Sequence, residues 1–276
     1  MDTRVQLRVQ RYGWDLAAHR YETLWQAQLS RAQTDMLALA DLRAGAAVLD
    51  VACGTGLVTF SAAHAVGAQG QVLGIDLSGL MVEAAAAHAS KNGLQNTRFS
   101  RMDAQSLALP DAGFDVVLCA LGLMYIPDPE QALREMRRVL RPGGRLALAV
   151  WGERSRCGWS SVFPIVDAEV ASDVCPLFFQ LGQPDNLASL CIRAGFDTLT
   201  QRRVAASLVY TDEDDACDAA LVGGPVALAW SRFGDDARAR VRGRYLESLA
   251  PWRYAQGYRV PAEFVIVSAV APGKLG

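Results

Sequence analysis

The sequence predicts an α/β fold, a mainly parallel sheet with helices on both faces, and three observations carry that prediction. Apolar runs of strand length recur at 47–52, 71–76, 97–102, 114–120 and 145–151. Helical periodicity falls between them, near 57–67, 79–91 and 129–141, and such alternation builds parallel sheets through crossover helices. Finally, the first apolar run breaks into a glycine loop, Asp50-Val51-Ala52-Cys53-Gly54-Thr55-Gly56, and the second ends in a lone carboxylate, Asp76.

Taken in chain order, residues 1–45 form an amino-terminal helical cap, and its 12–25 stretch, with Tyr12, Trp14, His19, Tyr21 and Trp25, is far denser in aromatics than the 8% average. Residues 46–151 form the core. Its best-specified helix opens at Asp128-Pro129-Glu130-Gln131, which supplies a cap, a proline at the first helical position and a capping-box glutamine. Ala132, Leu133, Met136, Val139 and Leu140 then share one apolar face, and Pro142-Gly143-Gly144 stops the helix. Residues 152–276 hold substrate-covering inserts and the last strands of the same domain. Within them Pro184–Ala194 reads as a helix, and Arg203–Tyr210 and Glu263–Ala271 as strands. The connections 152–183 and 211–262 are long where short ones are the rule. Ligands of open α/β sheets bind beyond the carboxyl ends of the strands, so these inserts and the amino-terminal helix are expected to form a lid over a pocket there.

Composition narrows the function. A chain of 276 residues, 51% hydrophobic, can bury one sizeable core, and a net charge of −2 argues against a polynucleotide partner. Cys53, Cys119, Cys157, Cys175, Cys191 and Cys217 are widely spread and read as reduced thiols. The acidic run Asp212-Glu213-Asp214-Asp215, with Asp218 beyond it, reads as a solvated helix start, and no metal is expected. With no apolar run near ~18 residues and no apolar core in Met1–Gln6, the expectation is a cytoplasmic protein without a membrane span. A homodimer is left open.

The ligand is read from the loop. Glycines let backbone approach a ligand closely, and an acid at the next strand end can accept two ribose hydroxyls. That is a nucleoside pocket. A dinucleotide fingerprint needs a third small residue where this chain has Thr59, and no Lys or Arg stands near the start of the following helix to favour phosphates. Asp50 would repel a phosphate but suits the ammonium of an amino-acid moiety.

With these residues the chain resembles the class I S-adenosylmethionine-dependent methyltransferases, in the ubiquinone- and menaquinone-biosynthesis group of small-molecule enzymes. Val48–Gly56 matches the first motif of that family, Asp76 its ribose-binding acid and Arg101–Leu107 its adenine-binding segment; Phe114–Ala120 and Leu140–Leu146 match the later strands. The match is good over roughly residues 12–151. The resemblance implies a Rossmann-like seven-stranded sheet with S-adenosyl-L-methionine as cofactor. It implies cofactor contacts by Tyr21, Asp50, Ala52, Cys53, Gly54, Thr55, Gly56, Asp76, Leu77, Met81, Asp103, Ala104, Cys119 and Met124. Many relatives carry a His-His pair after the fourth strand where this chain has Met124-Tyr125. A general base is needed only if the nucleophile starts protonated, and the candidates are His19, Tyr12 and Tyr125. The expected activity is methyl transfer to a small, planar or aromatic natural-product acceptor through O, N or C. The alternatives are a non-catalytic cofactor-binding regulator or scaffold and an NAD-dependent oxidoreductase.

Overall fold

The computed structural model describes residues 3–170 and 178–273. Its strands β1 (Ala47–Val51), β2 (Gln71–Asp76), β3 (Thr97–Arg101), β4 (Phe114–Ala120) and β5 (Leu140–Trp151) pair in parallel in the order β3-β2-β1-β4-β5. The long β6 (Asp197–Tyr210) and β8 (Gly257–Val270) extend the sheet antiparallel, with β8 against β5 and β6 at the edge. The sheet has eight strands, not the expected seven. The extra one is β7 (Arg253–Tyr254), which folds back on Gly257–Tyr258 through a turn in which Ala255 has positive φ. Strand order reverses between β1 and β4, and in open α/β sheets a crevice opens at that switch point.

Helices α2 (Leu57–Val66), α3 (Gly79–Lys91) and α4 (Pro129–Val139) connect the parallel strands. In α4 the buried Ala132, Leu133, Met136 and Val139 form the expected apolar stripe. Two details differ from the sequence reading. Asp128 caps α4 by accepting from the Gln131 N–H at 2.9 Å, but its own N–H goes to Gln105 Oε1 and not to Gln131, so the capping box is not reciprocal. Pro142-Gly143-Gly144 does not stop the helix either. Leu140 is already extended, and the Pro-Gly-Gly segment makes an irregularity where the β4–β5 register shifts between Phe114 and Val116.

One helix, α1 (Thr3–Ala40), spans almost the whole amino-terminal segment. It packs on β5, β8, α2 and α3 and on the insert helix α8 (Ala227–Ser231). Ser78 Oγ caps α3 and donates to Asp15 Oδ1 at 2.5 Å; Arg20 pairs with Asp218 at 2.7 Å; and the Trp25 indole donates to the Gly223 carbonyl at 2.9 Å. The Gln28 amide bonds both the N–H and the carbonyl of Val209, closing part of the exposed edge of β6. The first insert contributes α5 (Val162–Val170) and the helix α6 (Asn186–Arg193) follows it, shorter at each end than expected. The second insert is helical too, with α7 (Glu213–Cys217), a π-turn over Asp218–Val222, α8 and α9 (Asp235–Leu249). Asp212 caps α7 by accepting from the Asp215 N–H, and among the described residues no cluster is placed to hold a metal ion. Five of the six cysteines are free and buried, and Cys175 lies outside the described residues. No described helix is long and apolar enough to cross a membrane.

The antiparallel half is locked by a buried charge. Glu263 on β8 is 5% exposed, and its carboxylate meets Arg203 of β6 at 2.7 Å and Arg156 at 3.5 Å. Arg203 also donates to the Gly182 carbonyl. Removing one partner of such a pair strands a charge, whereas replacing both is tolerated. Arg203→Leu should therefore destabilise the protein by about 3 kcal/mol, and the double replacement Arg203→Leu with Glu263→Met should recover most of that in denaturant unfolding. A single variant as stable as wild type would show that the pair carries no strength.

Candidate active site

A cleft opens beyond the carboxyl ends of β1, β2 and β4, and its floor is backbone held in sparsely populated conformations. Ala52 and Leu121 follow β1 and β4 with φ of 56° and 58°, and both line the cleft. Such outliers persist only where the surroundings over-determine them. Here the surroundings are close: a Cβ on Gly122 would fall 2.3 Å from the Ala52 Cβ, so the two strand ends approach only because residue 122 is glycine. Gly54 has φ of +55°, and a Cβ there would lie 3.7 Å from the Tyr21 ring, within the cleft.

The loop is fastened by Asp76. Its Oδ2 accepts the Gly54 N–H at 2.9 Å and its Oδ1 accepts the Ser78 N–H at 2.9 Å. Each oxygen retains a further acceptor site, which suits a pair of neighbouring hydroxyls. Enclosure pushes the Asp76 pKa upwards, and the backbone N–H groups of Ser78, Gly54 and Leu77 offset part of that shift. Beyond β3, Asp103 is oriented by the backbone N–H and the amide of Gln105 at 2.9 and 3.2 Å. Gln105 in turn accepts from Asp128, so the third and fourth strand ends share one hydrogen-bonded corner.

Of the expected cofactor contacts, Tyr21, Ala52, Gly54, Asp76, Leu77, Met81, Asp103 and Ala104 line this cleft. The others lie behind it. Asp50 is 1% exposed and accepts from Thr59 Oγ1 at 2.6 Å, anchoring α2 to β1; it does not line the cleft as an ammonium partner would. Burial pushes its pKa up to about 7. Cys53 packs towards Gly74, Cys119 lies beneath Gly122, and Met124 is buried in the core; Gly56 starts α2. Thr55 is buried, and its Oγ1 has no partner among the described residues.

Two candidate bases are misplaced by helix phase. Leu7, Gln10, Trp14 and Tyr21 line the cleft from one face of α1. At about 100° per residue, Tyr12 and His19 point to the far side, and both are exposed. Tyr12 carries the Arg11 guanidinium over its ring there. Tyr125 alone of the three candidates faces the cleft. The sequence reading missed Gln10 and Trp14, although their spacing to Tyr21 marks the same helix face. It also missed Leu121, Gly122 and Ile126, whose role follows from backbone shape and not from side-chain chemistry.

Comparison with known proteins agrees with this geometry. The profile of the methyltransferase domain matches residues 42–166. A ubiquinone/menaquinone biosynthesis C-methyltransferase, UbiE of Pseudomonas fluorescens, is 32% identical over 62% of this chain and 73% of its own length. The chain belongs to the class I S-adenosylmethionine-dependent methyltransferases. UbiE of Hahella chejuensis is 44% identical over 38% of this chain and 43% of its own length, so some alignments span less than half of the relative. The YcgJ protein of Bacillus subtilis has the same fold, with a TM-score of 0.63 and 18% identity over 88% of this chain and 99% of that one.

The residues of this methyltransferase fit S-adenosyl-L-methionine. Asp76 lines the cleft and keeps acceptor capacity, the chemistry that neighbouring ribose hydroxyls need. Burial and the nearby Asp76 charge push the Tyr21 pKa upwards, so its hydroxyl stays protonated beside the cleft. Bound cofactor supplies a methyl group already activated on a sulfonium.

Two outcomes follow. Asp76→Ala should weaken S-adenosylhomocysteine binding at least about tenfold in calorimetry, since charge-assisted bonds are worth ~1.5–3 kcal/mol each; unchanged affinity would remove Asp76 from the ribose site. For Asp50, the folded pKa of about 7 lies above the unfolded value near 3.9. The folded state thus holds a proton that the unfolded state releases, and stability from this group falls as pH rises from about 4 through 7. Asp50→Asn should gain melting temperature relative to wild type as pH rises across that window, whereas a constant gap would refute the shift.

Proposed function

We propose that this enzyme transfers a methyl group to a small, planar or aromatic acceptor. The observation that carries the reading is an aromatic wall: Trp14, Tyr21, Leu121 and Tyr125 of the cofactor cleft also border a narrow chamber of about 20 Å³, room for one water, whose walls must part to admit a ring. Its remaining wall is Trp25 and Leu29 of α1, Trp151 at the end of β5, Trp159 of the first insert and Gly224-Pro225 of the second. None of these described residues is charged. Ring faces and edges of this kind hold flat apolar molecules. The names of the relatives point the same way, since UbiE is named for ubiquinone and menaquinone biosynthesis and the Listeria monocytogenes enzyme for demethylmenaquinone.

In this reading Asp76 takes the ribose, Asp103 the adenine amine and Ala104 the adenine ring, while α1 and the two inserts act as the lid. The chain's own contribution is to hold the acceptor atom in line and exclude water, and positioning of this kind is worth ~7–11 kcal/mol in favourable systems. Tyr125 is the group placed to orient the acceptor or take its proton. The net charge of −2 supports a small molecule over a polynucleotide.

A screen of hydroquinones, catechols, aromatic amines and aliphatic amines with S-adenosylmethionine tests this, read by release of S-adenosylhomocysteine and the mass of the product. Methylation is expected among the planar acceptors. Conversion confined to aliphatic amines would overturn the reading.

A further inference from the structure

We infer that Trp159 selects the acceptor, its indole N–H donating a hydrogen bond to an oxygen carried on the acceptor ring. The inference rests on the proposed reading of the aromatic chamber and adds a chemical requirement to it: a planar acceptor bearing a carbonyl, phenol or phenolate oxygen.

The argument starts from the polar atoms of an otherwise apolar wall. Trp25, Trp151 and Trp159 pack against one another, with centroids 5.9 Å apart for Trp25–Trp159 and 4.8 Å for Trp151–Trp159. Trp25 has spent its indole N–H on the Gly223 carbonyl at 2.9 Å. Trp159 has not. It is 1% exposed, and its Nε1 is buried with no acceptor among the described residues. Its other neighbours are the rings of Phe163, Phe178 and Phe179, which offer only weak π-acceptance.

A buried donor left unpaired is costly, and native structures pair nearly all such groups. The exceptions are informative when they border a ligand site. Tyr210 and Tyr245 also bury hydroxyls without partners, but neither lines the cleft or the chamber. Trp159 borders the chamber, beside the wall shared with the cofactor cleft, and its indole N–H is sealed from solvent, so a ligand reaches it only as the aromatic walls part. An oxygen on the ligand would satisfy a donor whose desolvation the fold has already met. A ligand of the same shape without the oxygen would leave it unmet, and that asymmetry gives sites built around a hydrogen bond their selectivity.

Isosteric probes separate the hydrogen bond from ring packing. Phenol and toluene differ by a hydroxyl for a methyl, and their binding to the full chain saturated with S-adenosylhomocysteine can be followed by calorimetry. Trp159→Phe should weaken phenol by about fivefold or more and leave toluene within about twofold, with the affinity for S-adenosylhomocysteine unaltered. Trp25→Phe, which loses an indole N–H already in use, should affect the two probes alike. Equal losses for both probes in Trp159→Phe would overturn the assignment. Should that variant not fold, the indole N–H resonance of Trp159 in wild-type protein gives a second reading: a downfield shift with phenol but not toluene supports the bond, and identical spectra refute it. Intact turnover of planar acceptors without phenol selectivity would sink the Trp159 assignment alone. Turnover confined to aliphatic amines would sink the acceptor reading and this inference together.

Discussion

The Asp76 carboxylate is the fastening on which the site depends. It joins the Gly54 N–H, at the end of β1, to the Ser78 N–H, at the start of α3. Ser78 then caps α3 through Met81 and donates to Asp15 of α1. One hydrogen-bonded relay thus runs from the glycine loop to the roof helix. The loop needs such an anchor, because Ala52 and Gly54 both sit at positive φ and backbone of that kind relaxes unless held. The same carboxylate lines the cleft, so the group that fastens the loop also faces the open space beyond the strand ends.

The roof follows from how α1 is tied. Asp15 binds it to α3, while Arg20 and Trp25 bind it to the second insert. Gln28 binds it to the edge strand β6. These contacts sit at successive turns of a single helix, so its rotational phase is set at several points. That phase decides the chemistry. It turns Gln10, Trp14 and Tyr21 inward and sends Tyr12 and His19 to the opposite side. The insert segment that receives Arg20 and Trp25 is a π-turn followed by Gly223-Gly224-Pro225, and the last two of these residues form part of the chamber wall.

Much of the fold was legible because parallel strands and their helices write strong local signals. The runs at 71–76, 79–91 and 114–120 match the structure residue for residue. Legibility failed where the determinant is not local. Pro142-Gly143-Gly144 reads as a helix stop, yet α4 ends earlier because Leu140 is taken up by pairing with Phe114 of β4. The strands at 203–210 and 263–271 extend further towards the amino terminus than their patterns suggest, since each is stabilised by the other across the sheet. In the site, Asp76 and Asp103 were legible as acids at strand ends. Asp50 was legible as a motif residue but not as a buried one, because a sequence does not say which acid of a motif turns inward to meet Thr59. The aromatic chamber was not legible as a unit. Its walls come from α1, β5 and both inserts, and only the tertiary fold brings Trp25, Trp151 and Trp159 together.

That chamber changes what the enzyme must supply. A sulfonium methyl needs no activation, so the barrier left to the protein is the placement of the nucleophile and, for some acceptors, the removal of its proton. Imidazole is absent from the described lining of both cleft and chamber, where the hydroxyls are those of Tyr21 and Tyr125. Tyr21 is held protonated by burial and by the Asp76 charge, which suits a donor and not a base. An acceptor that arrives with its nucleophile already ionised, or one acidified by a hydrogen bond to its oxygen, asks least of such a site. A ring oxygen held by an indole N–H answers both demands at once. In the proposed binding mode the donor would lower the cost of negative charge on the ring, and the aromatic walls would fix the plane of the ring.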